Sequence, residues 1–137
     1  MTSEEISGLL DFLRRCERLK DTLRSGYTSG GRQESVSDHT WRLCLMAMLI
    51  AERFPDVDRL RLLQMLIVHD LGEAVGGDIP APEQAGSINK SDDERRDFLS
   101  LLGPLPPHQR MHLVTLWDEY EAVSTPTAQL AKALDKL

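Results

Sequence analysis

Hydrophobic positions recur along most of the chain with the three-to-four-residue period of amphipathic helices. Glycine, proline and short polar stretches separate the periodic segments, and no segment shows the persistent two-residue alternation of a half-buried strand. The pattern therefore predicts an all-α fold, a single domain over residues 1–137 built as a bundle of about six helices. These are expected over residues 6–19, 35–54, 58–70 and 91–103, and from residues 106 and 125 onward.

Three helix starts carry clear capping signals, and one of them is Ser91, which is followed three residues later by Glu94 at the start of the fourth helix. Ser35 is followed three residues later by Asp38, which is the spacing of a capping box at the start of the second helix. Thr125 precedes Pro126, and proline is well suited to the first position of a helix because its ring already holds a helical φ. The glycine-containing stretch 25–31 before the second helix is interpreted as a loop.

Composition narrows the class of protein. The net charge of -6 argues against a broad basic surface for nucleic-acid polymers, and no apolar run is long enough to span a bilayer. The polar, acidic N-terminal segment lacks the apolar core of a signal peptide. Cys16 and Cys44 lie on apolar helical stretches and are expected to be reduced. We therefore expect a soluble cytoplasmic protein with neither a nucleic-acid nor a membrane partner.

The adjacent pair His69 and Asp70 is the strongest chemical signal, because it ends the apolar run 62–68. An ionised carboxylate beside an imidazole is costly in apolar surroundings unless a specific partner receives both groups. A divalent cation is such a partner, since neutral imidazole and carboxylate both donate to it. His39 on the second helix and Asp135 on the last could complete a buried metal site. A lone histidine such as His39 is also commonly a satisfied core or capping residue.

Two further acidic residues follow the pair. Glu73 lies four residues after His69, so the two side chains are expected to share one helix face. A carboxylate beside a metal site can accept a proton from water, although a solvated helix-end glutamate is an equally ordinary interpretation. Asp78 lies between a glycine pair and a proline, where an aspartate commonly forms a turn.

Five ordered blocks now resemble a known family, the HD-domain superfamily. Within it the chain is most similar to the YfbR-like 5'-deoxynucleotidase and HD-domain-containing protein 2 group. The similarity extends from about residue 8 to the end of the chain. The blocks are residues 34–39 (ESVSDH), 69–73 (HDLGE), 77–80 (GDIP), 116–121 (LWDEYE) and 134–136 (LDK).

The resemblance implies a helical, metal-dependent phosphohydrolase, most similar to 5'-nucleotidases that release phosphate from (deoxy)nucleoside 5'-monophosphates by attack of metal-activated water. It implies one divalent ion, such as cobalt or manganese, or else iron, zinc or magnesium, and it implies a homodimer. Nucleotide pyrophosphohydrolases or phosphodiesterases, and catalytically silent nucleotide-binding modules, are the alternatives that the same fold leaves open. The implied ligands are His39, His69, Asp70 and Asp135, and the implied catalytic acidic pair is Glu73 and Asp78.

A dianionic phosphate also needs a cation, because the two catalytic carboxylates would repel it. Arg24 and Arg32 flank the glycine-containing loop and could hold phosphate oxygens bidentately, and Lys90 is a further candidate. Each of the three is equally well explained as an ordinary surface cation. Trp117 and Tyr120 could stack on a base, although their helical spacing favours packing in the core or in a dimer. Asp135 lies two residues before the end of the sequence, where a fraying helix would hold a ligand weakly.

Overall fold

The structure, a computed structural model, describes residues 1–76 and 90–137. Within these ranges the fold is all-α, with six helices of ten residues or more, a single-turn helix and one small hairpin. The elements are α1 (Ser3–Cys16), β1 (Leu23–Tyr27), β2 (Gln33–Ser35), α2 (Val36–Ile50), α3 (Arg59–Val68), α4 (Glu73–Gly76), α5 (Lys90–Leu101), α6 (Pro107–Ala122) and α7 (Pro126–Asp135). Two short 3-10 segments, Glu17–Lys20 and Ala51–Arg53, extend α1 and α2. None of the described helices has both the length and the apolar composition to cross a bilayer.

The chain divides into two compact units. The first comprises Met1–Asp38 and Leu71–Arg110, and the second comprises His39–Asp70 and Met111–Leu137. Each unit is described separately below. The expectation of one domain over residues 1–137 stays a prediction.

In the first unit, α1 begins with a capping box. The side chain of Thr2 accepts from the backbone N–H of Glu5 at 3.1 Å, and the Glu5 carboxylate accepts from the backbone N–H of Thr2 at 2.8 Å. The helix buries Phe12 and packs on α5. A methyl group at Gly8 would collide with the carbonyl oxygen of Pro104, so glycine permits this close approach.

A small antiparallel hairpin, β1–β2, corrects the interpretation of residues 25–31 as a loop. Leu23 pairs with Ser35 and Tyr27 with Gln33, with an irregularity between the two pairs. Only the turn beyond Tyr27 is loop, and Gly31 there adopts the left-handed φ of 89° that favours glycine. The strand was not predictable from periodicity because β1 (LRSGY) has no alternating apolar face and is mostly exposed.

The predicted capping box at the start of α2 is confirmed. Ser35 Oγ accepts from the backbone N–H of Asp38 at 3.1 Å, and Asp38 Oδ2 accepts from the backbone N–H of Ser35 at 2.9 Å. Arg32 also donates to Asp38 Oδ2 at 2.8 Å. These bonds, that to Arg32 foremost, lower the pKa of Asp38 to about 2. The residue that follows Asp38 on α2 is His39.

In the second unit, α3 packs against α7. Both helices have side-chain caps: Asp58 accepts from the N–H of Arg61 at 3.0 Å, and Thr125 accepts from the N–H of Ala128 at 3.1 Å, as the Thr-Pro signal predicts. The backbone N–H of Asp58 in turn donates to the Thr127 hydroxyl at 3.2 Å, which joins the N-terminal ends of the two helices. The contact therefore sets the register of α3 against α7.

The turn between α6 and α7 is tight. Val123 has a φ of 53°, a left-handed conformation in which a β-branched side chain is strained by about 1–3 kcal/mol. The Gln129 amide donates to the Val123 carbonyl at 3.3 Å and holds the turn against α7. This turn reverses the chain so that α7 can return along α3 with Asp135 as its last residue.

Candidate metal centre

Four side chains of the second unit converge: His39, His69, Asp70 and Asp135. Each offers one potential ligand atom, and these four atoms all lie within 4.8 Å of one another. Opposite ligands of a single divalent ion are about 4 Å apart, because each bond is about 2.0–2.2 Å long. A slight contraction around one ion would therefore satisfy all four donors. Among the described residues this is the one group of three or more such side chains.

Three helices deliver these four side chains. His39 lies in the first turns of α2, His69 caps the C-terminal end of α3 with Asp70 directly after it, and Asp135 ends α7. The apolar run 62–68 places His69 in the interior, where its side chain is only 2% exposed. The packing of α3 on α7 then brings Asp135 to the same place. His69 and Asp70 are therefore placed by the end of α3, and Asp135, which is distant in the sequence, is placed by the packing of α7.

The tautomer of His69 is fixed by its own helix. Its Nδ1 lies 2.6 Å from the carbonyl oxygen of Leu66, which can only accept, so Nδ1 carries the proton. In the neutral ring this leaves Nε2 with its lone pair directed at the cluster. Nε2 is buried and makes no well-directed hydrogen bond to any residue that the structure describes. An oriented, buried lone pair without a donor is what a metal ligand requires.

The carboxylates crowd around the two imidazoles. Nε2 of His69 lies 3.0 Å from Asp70 Oδ2 and 3.3 Å from Asp135 Oδ1, and Nε2 of His39 lies 2.7 Å from Asp135 Oδ1. Burial alone would lower the pKa of His69, but Asp135 and Asp70 outweigh it and raise the pKa to about 10. Burial alone would raise the pKa of Asp135, but His39 and His69 hold it well below its usual range.

These opposing pKa shifts have one cause. The carboxylates of Asp70 and Asp135 share a partly buried space, and a positive charge there stabilises both of them. A proton on His69 supplies one positive charge. A divalent cation supplies two and lets both imidazoles act as neutral donors. The donor set of two nitrogens and two carboxylate oxygens therefore fits a divalent metal better than it fits a proton.

An ion-pair network holds the helices that carry the cluster. Arg61 Nε on α3 lies 2.6 Å from Glu119 Oε1 on α6, and Glu119 Oε2 accepts from the hydroxyl of Thr125 at 2.8 Å. Thr125 is also the N-cap of α7. One carboxylate thus connects α3, α6 and the start of α7. Both charged side chains are at least two-thirds buried, where a well-oriented pair resists solvent screening better than a surface pair.

Two residues surround the cluster in a way that the sequence analysis did not predict, Tyr120 and Lys132. Tyr120 donates from its hydroxyl to Asp135 Oδ2 at 3.3 Å, and its ring centroid lies 5.0 Å from that of His69. The ammonium of Lys132 lies 4.7 Å from the centroid of the same ring. The spacing of Lys132, three residues before Asp135 on one helix face, could have indicated it. The role of Tyr120 depends on the packing of α6 and had no sequence signal.

The remaining predicted residues belong to the first unit. Glu73 is half-buried and is the first residue of α4, whereas α3 ends at Val68, so the expectation that Glu73 shares a helix face with His69 is wrong. Asp78 lies outside the described residues. Arg24 pairs with Glu34 at 3.3 Å, and Arg32 pairs with Asp38 at 2.8 Å.

Lys90, the first residue of α5, also has an acidic partner. Its ammonium lies 3.4 Å from Glu94 Oε1, one helical turn along. Both side chains are nearly half exposed, so solvent screens this pair strongly. The three basic candidates are therefore all engaged locally, and their roles, like those of the proposed metal ligands, stay predictions.

The family model and the curated relatives that match this chain agree with one another. A family model described as the HD domain matches residues 16–137. The human protein named 5'-deoxynucleotidase HDDC2 is 40% identical over 133 residues, which cover 93% of this chain and 63% of the human one. Its namesake in Dictyostelium discoideum is 32% identical over 139 residues, which cover 96% and 73%. The chain thus spans about two thirds of the length of these relatives.

Solved structures show the same fold. A protein from Magnetospirillum magnetotacticum, named a predicted metal-dependent phosphohydrolase, superposes with a TM-score of 0.87 at 32% identity. The match covers 98% of this chain and 69% of that one. A conserved hypothetical protein from Pyrococcus furiosus superposes with a TM-score of 0.76 at 28% identity, covering 93% and 75%.

Metal binding should tighten as the pH rises. In the metal-free protein the pKa of His69 is raised to about 10, so at neutral pH a proton occupies the position that a cation would take. Displacing one proton per ion should strengthen apparent Mn²⁺ affinity by up to about tenfold per pH unit between about pH 6 and 8. Isothermal titration calorimetry at several pH values measures this slope.

Two histidine variants supply the control. His69→Ala should abolish binding, whereas His112→Ala, which removes an exposed histidine of the same unit, should leave both affinity and slope unchanged. An affinity that does not vary with pH, or binding that survives in His69→Ala, would show that the ion does not replace a proton at His69.

Proposed function

The chain belongs to the HD-domain family, and on that premise we propose that it is a metal-dependent 5'-nucleotidase. It would release phosphate from (deoxy)nucleoside 5'-monophosphates. The observation that supports this most is the convergence of His39, His69, Asp70 and Asp135 within 4.8 Å. Relatives named 5'-deoxynucleotidase, 32% to 40% identical, favour this substrate class.

The four converging side chains would hold one divalent ion. A set of two imidazoles and two carboxylates suits borderline divalent transition metals. The resemblance to the YfbR-like group makes cobalt and manganese our first choices, ahead of iron, zinc and magnesium. Such a cation supplies Lewis acidity, which polarises a phosphoryl oxygen and makes water more acidic. His69 is held in the donor tautomer by Leu66, and Asp135 faces both imidazoles, so the donors are oriented in advance.

Glu73 and Asp78 would handle the protons. Hydrolysis forms one P–O bond to water and breaks the P–O bond to the 5'-oxygen, so one proton must leave the water and one must reach the leaving oxygen. We assign these two tasks to the two carboxylates. Glu73 begins α4 three residues after Asp70, and this short connection along the chain supports its assignment.

Arg24, Arg32 and Lys90 would bind the phosphate. In each case a neighbouring carboxylate already orients the cation: Glu34, Asp38 and Glu94 respectively. The Arg32 side chain is 64% exposed, so most of its guanidinium remains accessible to a ligand.

The substrate is expected to be a small molecule in the cytoplasm. The net charge of -6 disfavours a long polyanion as a partner, and we propose neither a nucleic-acid nor a membrane partner. Cys16 and Cys44 are both free thiols, which suits a reducing compartment.

We further propose that the protein is a homodimer that pairs through α2. One face of α2 carries four large apolar side chains that are 45–70% exposed: Trp41, Leu45, Met48 and Leu49. Their spacing places them in one stripe, and the opposite face buries Leu43 and Ala47. A helix that is apolar on both faces normally has a partner on each, and a stripe of this kind is typical of an interface.

Phosphate release from a panel of ribo- and deoxyribonucleoside 5'-monophosphates, with Co²⁺, Mn²⁺ or Mg²⁺ added, tests the proposed activity. We expect metal-dependent turnover that falls by about 10²–10⁴-fold in Glu73→Gln, because the proton handler is lost while the ligands remain. Glu17→Gln, at an exposed glutamate of the same unit, is the matched control and should retain full activity.

The same assay separates the alternatives. Release of pyrophosphate, or cleavage of phosphodiesters only, would replace the proposal with a different hydrolase. Metal binding without turnover of any nucleotide would indicate a binding module. Turnover that does not need a metal would contradict the proposed mechanism.

Multi-angle light scattering tests the dimer. The wild type should have twice the 15.4 kDa mass of one chain, and Leu49→Lys should have the mass of a monomer, because a charge would be buried in the apolar stripe. Leu60→Lys on α3 is the control, since Leu60 and Leu49 are both 67% exposed. A monomeric wild type, or a Leu49→Lys variant that stays dimeric, would refute pairing through α2.

A further inference from the structure

We propose that Tyr120 is the positioning residue of the metal centre, holding Asp135 through its hydroxyl and His69 through its ring. This inference rests on the proposed function in one respect, that His69 and Asp135 are metal ligands. Tyr120 itself would not touch the metal or the substrate. Its task would be to keep two ligands from different helices in the geometry that binds an ion.

The first contact fixes the rotation of the Asp135 carboxylate. The Tyr120 hydroxyl donates to Oδ2 at 3.3 Å, while the other oxygen, Oδ1, lies 2.7 Å from His39 and 3.3 Å from His69. Oδ2 is therefore held by the Tyr120 hydroxyl, and Oδ1 faces the two imidazoles. Asp135 is the last residue of α7, where helix ends fray most easily, so a side-chain bond matters more here than in mid-helix.

The second contact restricts the His69 ring. The two ring centroids are 5.0 Å apart, and the ring planes are inclined by 45°. The hydrogen bond from Nδ1 to the Leu66 carbonyl fixes one edge of the imidazole, and the packed phenol ring limits its tilt. His69 is thus oriented by its own helix and by α6 together.

The third contact holds Tyr120 in turn. The ammonium of Lys132 lies 4.7 Å from the centroid of the phenol ring, a cation–π distance, and Tyr120 is only 4% exposed. Lys132 and Asp135 lie on the same helix, so α7 contacts the ring and the hydroxyl at once. Tyr120 is therefore buried, with both of its functional parts engaged by residues at the centre. Packing alone would not require the hydroxyl.

Tyr120→Phe removes the hydroxyl and keeps the ring, which isolates the bond to Asp135. We expect Co²⁺ affinity, measured by calorimetry, to fall about tenfold, because outer partners of metal ligands typically contribute 10–100-fold. The visible absorption spectrum of the Co²⁺-loaded protein should also change, since it reports ligand geometry. The thermal midpoint of the metal-free protein should stay within a few degrees of wild type.

Tyr27→Phe is the matched control, because it makes the same chemical change at an exposed tyrosine. It should leave the Co²⁺ affinity and the spectrum unchanged. A Tyr120→Phe protein that binds Co²⁺ as tightly as wild type, with the same spectrum, would overturn the positioning role while leaving the metal centre intact. A wild type that binds no divalent metal would overturn both this inference and the proposed function.

A second measurement does not depend on the stability of Tyr120→Phe. The chain has two tyrosines, so Tyr27→Phe leaves Tyr120 alone, and a ¹³C label at the ring Cζ gives a single signal in a nuclear magnetic resonance spectrum. Titration with diamagnetic Zn²⁺ should shift that signal along the same curve that calorimetry gives for binding. Saturation of the metal site without any shift would refute a bond between Tyr120 and a ligand.

Discussion

Two carboxylates, Asp70 and Asp135, share a partly buried space with the imidazole of His69, and this concentration of negative charge constrains the rest of the second unit. Burial of like charges is tolerated only where a cation or proton neutralises them. The raised pKa of His69 and the lowered pKa of Asp135 are two expressions of that demand. The proposed divalent ion would neutralise the two carboxylates while both imidazoles stay uncharged. Metal binding would therefore also remove the repulsion between Asp70 and Asp135.

Bonds elsewhere in the second unit hold the two carboxylates and the imidazole of His69 in a fixed arrangement. Glu119 joins Arg61 of α3 to Thr125 at the start of α7, and the backbone of Asp58 is joined to Thr127. These bonds lie at the ends of the helices remote from the cluster. They set the register of α3 on α7, so that the opposite ends of the two helices bring His69 and Asp135 to one place. The turn before α7 contains Val123 in a left-handed conformation, which carries a local cost.

Features that depend on residues close together in the sequence could be predicted, whereas contacts that depend on tertiary packing could not. The helices and the caps at Ser35 and Thr125 depend on residues three or four positions apart, and the structure confirms them. The polar pair of His69 and Asp70 at the end of an apolar run indicated from the residues alone that a partner was needed, whereas the resemblance to the HD-domain superfamily implied that Asp135 joins them. The β1–β2 hairpin was missed because it has no alternating pattern, and the bond from Tyr120 to Asp135 was missed because it joins two different helices. Partners such as Glu34, which engages Arg24, likewise depend on strand pairing.

An anomalous difference map from crystals of the cobalt-loaded protein tests whether the four side chains bind one divalent ion. We expect one strong peak about 2.0–2.2 Å from an atom of each of His39, His69, Asp70 and Asp135. A peak elsewhere, or one contacting fewer than three of these side chains, would contradict that expectation.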